Sequence, residues 1–350
     1  MKLLKNFFID GLSGMAHGLF ATLIIGTIIQ QTGLFLGGDL GDLIYITGKI
    51  AAALTGAGIG VGVAAKFQET PLVTLSAGAA GMIGAFAGKI LGGSVLVDGN
   101  IVFSGPGEPL GAFIAAYVGI TAGHFVAGKT KIDILVTPVT TIGAGATAGI
   151  LVGPTISQLM LKIGDLINWG TEQQPLIMGI IVSVIMGMAL TLPISSAALG
   201  VILNLSGLAA GAATIGCCCN MVGFAVASYR ENKIGGLLAQ GIGTSMLQIS
   251  NIVRKPVIWL PAIVSSVILG PIGTLIFKMT NNATGSGMGT AGFVGQIMTW
   301  QMMTATESSG IVMVKIIIMH FILPAVITIM VSEFMRKKKW IKENDMKLDL

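Results

Sequence analysis

The chain has 350 residues, of which 53% are hydrophobic and only 10% are charged. Since soluble domains carry about 25% charged residues, this composition excludes an ordinary soluble protein and predicts a multi-pass membrane protein. The net charge is only +5, and the clearest basic run, at residues 336–339, directly follows the last apolar segment. That placement is typical of a cytoplasmic membrane anchor, so we expect a lipid bilayer and no nucleic acid as partner.

The predicted elements begin with an apolar segment at residues 7–31, which Lys2 and Lys5 precede. Basic flanks mark the cytoplasmic side of membrane spans, so both termini are expected in the cytoplasm. Two termini on one side require an even number of crossings. The clear apolar segments that fit this requirement are 7–31, 44–65, 71–90, 110–128, 132–156, 175–192, 257–277 and 311–331.

Three stretches depart from simple alternation across the membrane. Residues 194–228 are too long for one span, and we expect a re-entrant hairpin that turns near residues 204–207. Residues 234–253 are weakly apolar and end at a basic pair. Residues 157–170 carry apolar side chains at helical spacing, which favours an amphipathic interfacial helix. The fold class is therefore an all-α polytopic membrane protein, with about eight to ten transmembrane helices and re-entrant hairpins.

The most unusual stretch is Ser-Gly-Pro-Gly-Glu-Pro at residues 104–109. Residues 95–103, just before it, predict two short extramembrane strands around an Asp-Gly turn. Pro109 suits the first turn of the helix that follows, where its missing N–H costs nothing. Glu108, beside Gly107, then lies at the helix entrance. A carboxylate there either caps its own helix or binds a polar solute, and we favour the binding role.

A second glutamate has the same arrangement. Glu69 and Thr70 precede Pro71, which opens another apolar run, and Lys66 lies nearby. Here we favour a cap for the helix over solute binding.

Polar residues also interrupt the last third of the chain. The Gly-rich loop at residues 280–290 contains Asn281, Asn282 and Thr284, which are candidates for solute contacts or part of a flexible connector. Glu307 is a weaker candidate of the same kind. No sequence pattern predicts catalysis by the chain alone, a cofactor or a metal site, and the consecutive cysteines at residues 217–219 are interpreted as packing residues.

The segment Gly105-Pro106-Gly107-Glu108-Pro109 resembles the Gly-Ile-Thr-Glu-Pro-type motif of EIIC, the sugar-specific membrane subunit of phosphotransferase systems. In that family the glutamate binds sugar hydroxyls. The glycine-rich spans look like the compact EIIC-like group that includes the perfringolysin regulator membrane proteins. Here Pro-Gly stands in place of Ile-Thr, and the motif lies in the first third of the chain.

The resemblance implies a single EIIC-like transmembrane domain over residues 1–350, with a division into halves at 1–170 and 171–335 as an alternative, and a basic cytoplasmic tail at 336–350. It also implies a bacterial-type cytoplasmic membrane and a homodimer. Our leading hypothesis is a permease that moves a sugar or related small polar solute by alternating access. Glu108 would anchor its hydroxyl groups, with Glu69 and the Asn281–Thr284 region as secondary contacts.

Three alternatives stay open at this point. Sugar phosphorylation would need separate phosphocarrier subunits, because the sequence contains no fused phosphocarrier domain. A membrane sensor that binds a solute and signals through a partner would show no net transport. An ion-coupled carrier is the third alternative.

Overall fold

The structure is a computed structural model that describes residues 6–103 and 105–348. Ser104, Lys2, Lys5 and the last two residues of the predicted tail lie outside this range. The chain forms two compact units, with the boundary between Met160 and Leu161. Helices dominate both units, so the predicted all-α class is confirmed.

Unit 1 is built from closely packed apolar helices. Its elements are α1 (Ile9–Leu36), α2 (Gly38–Ala53), α3 (Thr55–Lys66), α4 (Pro71–Ala85), α5 (Ala87–Leu91), β1 (Leu96–Val97), β2 (Asn100–Ile101) and α6 (Pro109–Val126). Helix α4 packs against α3 and α6, and α3 packs against the first half of α1. Proline occupies the first turn of α4 and of α6, where it costs no backbone hydrogen bond.

Helix α7 (Asp133–Thr171) runs across the boundary between the units. The elements that follow are α8 (Pro175–Thr191), α9 (Ser196–Ile202), α10 (Gly207–Ala227), α11 (Tyr229–Leu238), α12 (Ile249–Arg254), α13 (Pro256–Leu275), α14 (Ala283–Ser286), α15 (Val294–Met303) and α16 (Ser309–Lys337). Helix α10 is the centre of unit 2 and packs against α8, α13 and α16. Most of its residues are apolar and buried around the whole circumference, which is typical of a helix enclosed by its neighbours.

Among the described residues, six helices are long and apolar enough to cross a membrane: α1, α6, α7, α10, α13 and α16. The pair α2 and α3, bent by 52° at its break, raises the count to seven if it forms one span. Helices α4 and α8 are also apolar but have fewer than 18 residues. A multi-pass membrane protein is therefore supported, while the count of eight to ten spans stays a prediction.

The predicted β-hairpin is confirmed. Strand β1 pairs antiparallel with β2, with Val97 opposite Asn100. Asp98 and Gly99, which connect the strands, have φ of +49° and +76°. Positive φ at both central residues defines a type I′ turn, whose twist matches that of the flanking strands. Both strands are exposed.

The chain also turns near residues 204–207 as predicted, since α9 ends at Ile202, Asn204 has a φ of +47°, and α10 starts at Gly207. Residues 157–170 are helical as predicted, but they form the last part of α7, which continues unbroken to Thr171, and their place at a membrane interface stays a prediction. Pro138 and Pro154 both lie inside α7, so neither of them ends the helix. Proline is tolerated inside membrane helices, where neighbouring groups satisfy the carbonyl that it leaves unpaired.

Candidate functional site

The backbone around Glu108 is fixed against the end of α4. The Glu108 N–H donates to the carbonyl of Ala85 over 2.8 Å. Gly107 has a φ of +75°, and a Cβ placed there would lie 2.7 Å from Ala85 Cβ. Glycine is therefore required at position 107 both by its conformation and by the close approach of α4.

Glu108 occupies the N-cap position of α6 with extended backbone, and Pro109 opens the helix as predicted. Within the described residues, the Glu108 side chain makes no capping hydrogen bond to its helix. The carboxylate is partly buried. The capping alternative for Glu108 thus has no support in this geometry, and the main chain of Glu108 is held at the helix entrance by its bond to Ala85.

Glu69 does not cap α4 either, so the favoured interpretation of this residue is wrong. The cap is Thr70, whose hydroxyl accepts a hydrogen bond from the Val73 N–H over 3.5 Å. The two carboxylate oxygens of Glu69 lie 3.0 and 3.1 Å from Nδ1 of His124. The Glu69 side chain is only 9% exposed, whereas that of His124 is 67% exposed. Sequence reasoning missed this pair because the two residues are 55 positions apart.

The structure does not bring Glu69 and Glu108 together. Glu69 precedes the first residue of α4, and Glu108 is bonded to Ala85, the last. A helix of 15 residues at 1.5 Å per residue separates them by about 22 Å. The two glutamates therefore lie at opposite ends of the α4–α6 pair and cannot contact one small solute at the same time.

In unit 2, Asn281 is fully buried and anchors its loop. Its Nδ2 donates to Thr214 Oγ1 over 2.7 Å, to Thr299 Oγ1 over 3.0 Å and to the Gly295 carbonyl over 3.1 Å. Its backbone N–H also donates to the carbonyl of Gly207, over 3.2 Å. These bonds give Asn281 a structural role, and direct contact with a solute stays a prediction.

The neighbouring candidates differ in exposure. Asn282 is the N-cap of α14, where its Oδ1 accepts a hydrogen bond from the Gly285 N–H over 3.0 Å. Thr284, the second residue of the same short helix, is exposed. Of these three candidates, Thr284 is thus the exposed one.

Glu307, just before α16, forms an ion pair with Lys315 in the second turn of that helix. Glu307 Oε2 lies 2.7 Å from Lys315 Nζ, and the side chains are 29% and 19% exposed. A lysine in an apolar span needs such a partner, because a lone charge at membrane depth is costly. The pairing accounts for Glu307 without a solute.

Sequence reasoning missed a buried polar centre on α10. Asn220 Oδ1 accepts hydrogen bonds from Trp259 Nε1 over 2.8 Å and from Thr191 Oγ1 over 3.1 Å. Thr191 Oγ1 also lies 2.8 Å from Ser245 Oγ. All these side chains except Trp259 are at most 3% exposed. The available signal was a lone asparagine in an apolar run, directly after the cysteines at 217–219, which are themselves buried packing residues.

Irregular segments of unit 2 meet beside this centre. The Thr290 hydroxyl donates to the carbonyl of Gly241, which lies in a short π-helical turn. Ser196 Oγ donates to the Gly287 carbonyl over 2.7 Å. Irregular backbone at membrane depth is tolerated where it is buried in protein or lines a cavity. In secondary transporters, such discontinuous helices form the solute site.

A second feature of unit 2 is an uncharged cavity of about 480 Å³. The predicted turn forms one wall, through Asn204 and Ser206, and the end of α7 forms another. Its polar lining residues are Asn168, Thr171, Gln173, Asn204 and Ser206. Amides and hydroxyls without charge suit a neutral, hydroxyl-bearing ligand, and the volume lies in the usual range for small-molecule sites.

Comparison with known protein families identifies the family of the chain as a whole. A family model described as "Phosphotransferase system, EIIC" matches residues 9–348, nearly the whole chain. The chain belongs to this family. No curated protein matches it significantly in sequence. Membership of the EIIC family makes the protein a sugar-specific membrane component and implies a carbohydrate substrate and separate phosphocarrier partners. Membership of the regulator subgroup stays a prediction.

Proposed function

We propose that this EIIC protein binds a sugar or related small polar solute and translocates it by alternating access. The observation that carries the proposal is the family match over residues 9–348. The discontinuous helices around the buried polar centre of α10 support it, because transporters place such breaks at the solute pathway.

Glu108 is the proposed anchor for the solute. A carboxylate accepts hydrogen bonds from sugar hydroxyls, and hydrogen bonds to a charged acceptor are roughly twice as strong as neutral ones. The backbone bond to Ala85 and the wedged Gly107 hold this residue in place before a ligand arrives. A preorganised site loses less entropy on binding, which supports a recognition role for this segment.

Secondary contacts with the solute are proposed for Thr284, Asn281 and Glu69. Because Glu69 lies about 22 Å from Glu108, it would meet the solute at a different stage of its passage. We further propose a homodimer in a bacterial-type cytoplasmic membrane, with both termini in the cytoplasm. Phosphorylation of the sugar is assigned to separate phosphocarrier subunits.

The first test is ligand-induced thermal stabilisation of the detergent-purified protein with a panel of sugars, sugar acids and sugar phosphates. We expect at least one sugar to raise the unfolding midpoint of the wild type, because ligands that bind only the folded state stabilise it. Glu108→Gln should lower the affinity for that sugar at least about tenfold, since losing a charge-assisted hydrogen bond costs roughly 1.5–3 kcal/mol.

Glu69→Gln is the matched comparison, since it makes the same chemical change at the other helix entrance. It should reduce sugar binding less than Glu108→Gln does, because Glu69 lies about 22 Å from Glu108 and is proposed to meet the solute only at another stage of its passage. Both variants should unfold near the wild-type midpoint without ligand. A sugar that stabilises Glu108→Gln as well as the wild type would remove Glu108 from the binding site.

A further inference from the structure

The segment after α16 is firmly attached to unit 2. Side-chain amides hold its backbone: Asn232 Nδ2 and Gln248 Nε2 donate to the Met346 carbonyl over 2.8 and 2.9 Å. Asn251 Nδ2 donates to the Lys347 carbonyl over 2.9 Å. These hydrogen bonds attach two consecutive carbonyls of the segment to side chains of unit 2. Residues 338–348, most of the tail predicted at 336–350, therefore have a defined backbone position.

Apolar and ionic contacts strengthen the attachment. Ile341 and Met346 are 2% and 0% exposed, and both belong to a buried cluster that includes Trp259. Lys255 Nζ lies 2.5 Å from Asp345 Oδ2. Burying two large apolar side chains contributes about 1.5–3 kcal/mol each, enough to hold a short segment against the helices.

This folded segment encloses one side of a cavity of about 670 Å³. The charged residues that line the cavity are Arg230, Arg336, Lys339, Lys342, Lys347, Glu231 and Glu343. Basic residues thus exceed acidic ones by three in the lining, five minus two. A cavity with this excess attracts anions from solution.

The arginines and lysines of the lining differ in their partners. Arg230 is paired with Glu333 at 2.9 Å, and Arg336 with Glu231 at 2.8 Å. The Arg336 side chain is only 10% exposed, and its Nε has no acceptor among the described residues.

The lysines are the uncompensated charges. Lys339, Lys342 and Lys347 are exposed and make no ion pair with any carboxylate in the described part of the chain. The cavity therefore combines a buried guanidinium that has a spare donor with three available ammonium groups.

We propose that this cavity binds a phosphate group. Guanidinium and ammonium groups are the side chains that proteins use to hold phosphate oxygens. Basic residues that only anchor a membrane segment need no fixed backbone, whereas these are held around an enclosed volume by the amides of Asn232, Gln248 and Asn251. The phosphate belongs either to a soluble phosphate ester or to a phospholipid headgroup. The site does not depend on which sugar the protein transports.

The test is a titration of the full-length protein with inorganic phosphate, in nanodiscs of neutral lipid, with chloride at matched ionic strength as reference. Phosphate should raise the unfolding midpoint and chloride should not. The double variant Lys342→Gln/Lys347→Gln should lower the affinity for phosphate at least about tenfold. The control is Lys337→Gln/Lys338→Gln, which removes the same charge from exposed lysines outside the lining, and it should bind phosphate like the wild type.

Nanodiscs that contain phosphatidylglycerol distinguish the sources. A weaker apparent affinity for phosphate there indicates that a headgroup occupies the cavity, and an unchanged affinity indicates a soluble phosphate ester. The proposal is overturned if phosphate has no effect in neutral nanodiscs, or if the control loses as much affinity as the cavity variant. Sugar-induced stabilisation, measured on the same samples, reports separately on the proposed transport function.

Discussion

Gly216→Ala is expected to abolish accumulation of folded protein or to lower its stability by roughly 3 kcal/mol or more. A Cβ at Gly216 would lie 1.8 Å from the Ser183 carbonyl oxygen and 2.5 Å from its carbonyl carbon. These are backbone atoms of α8, so no rotamer change relieves the clash. Helices α8 and α10 would have to separate, which opens the core of unit 2. Size-exclusion profiles and thermal unfolding in detergent measure the effect.

The control for this substitution is Gly143→Ala. Gly143 also lies inside an apolar helix, α7, but a Cβ there meets nothing within 4 Å. Alanine is the better helix former by up to about 1 kcal/mol, so this variant should be as stable as the wild type or slightly more. A Gly216→Ala protein with the wild-type midpoint would show that α8 and α10 do not pack as described.

Gly107→Ala is expected to have the second largest effect, a loss of about 2–5 kcal/mol. The left-handed backbone, with φ of +75°, costs a non-glycine residue roughly 1–2 kcal/mol. The new methyl group would also lie 2.9 Å from the Ala85 carbonyl oxygen and 3.1 Å from Phe86 Cε2, and overpacking adds about 1–3 kcal/mol. Because the same segment positions Glu108, sugar affinity should fall together with the unfolding midpoint.

Gly105→Ala distinguishes the two causes of the expected stability loss, which are the left-handed backbone and the overpacking against α4. Gly105 has nearly the same φ, +77°, but a Cβ there meets nothing within 4 Å. This variant should lose only the conformational part of the stability and should retain sugar binding. Equal losses in both variants would mean that contact between Gly107 and α4 contributes nothing.

Features set by neighbouring residues were predictable from the sequence. Pro71, Pro109 and Pro175 each begin a helix close to the predicted position, because proline fits the first helical turn. The Asp-Gly pair between strands likewise produced the predicted turn, since it accepts positive φ at both positions. The Glu108 motif also led to the correct family.

Contacts between distant residues were not predictable. The partner of Glu69 is His124, and Asn220 is bonded to residues on two other helices, so no local pattern reveals these contacts. Pro154 does not end α7, because helix interiors in membranes tolerate proline. Local chemistry thus indicated the candidate residues, and tertiary packing determined which of them meet.

The most direct test of the proposed transport is counterflow in proteoliposomes that contain only this protein. Vesicles are loaded with the unlabelled sugar found in the binding panel, and entry of the labelled sugar is followed over time. Alternating access predicts transient accumulation in wild-type vesicles and little in Glu108→Gln or protein-free vesicles, without any phosphocarrier. A sugar that stabilises the protein but shows no counterflow would contradict a permease and favour the sensor hypothesis.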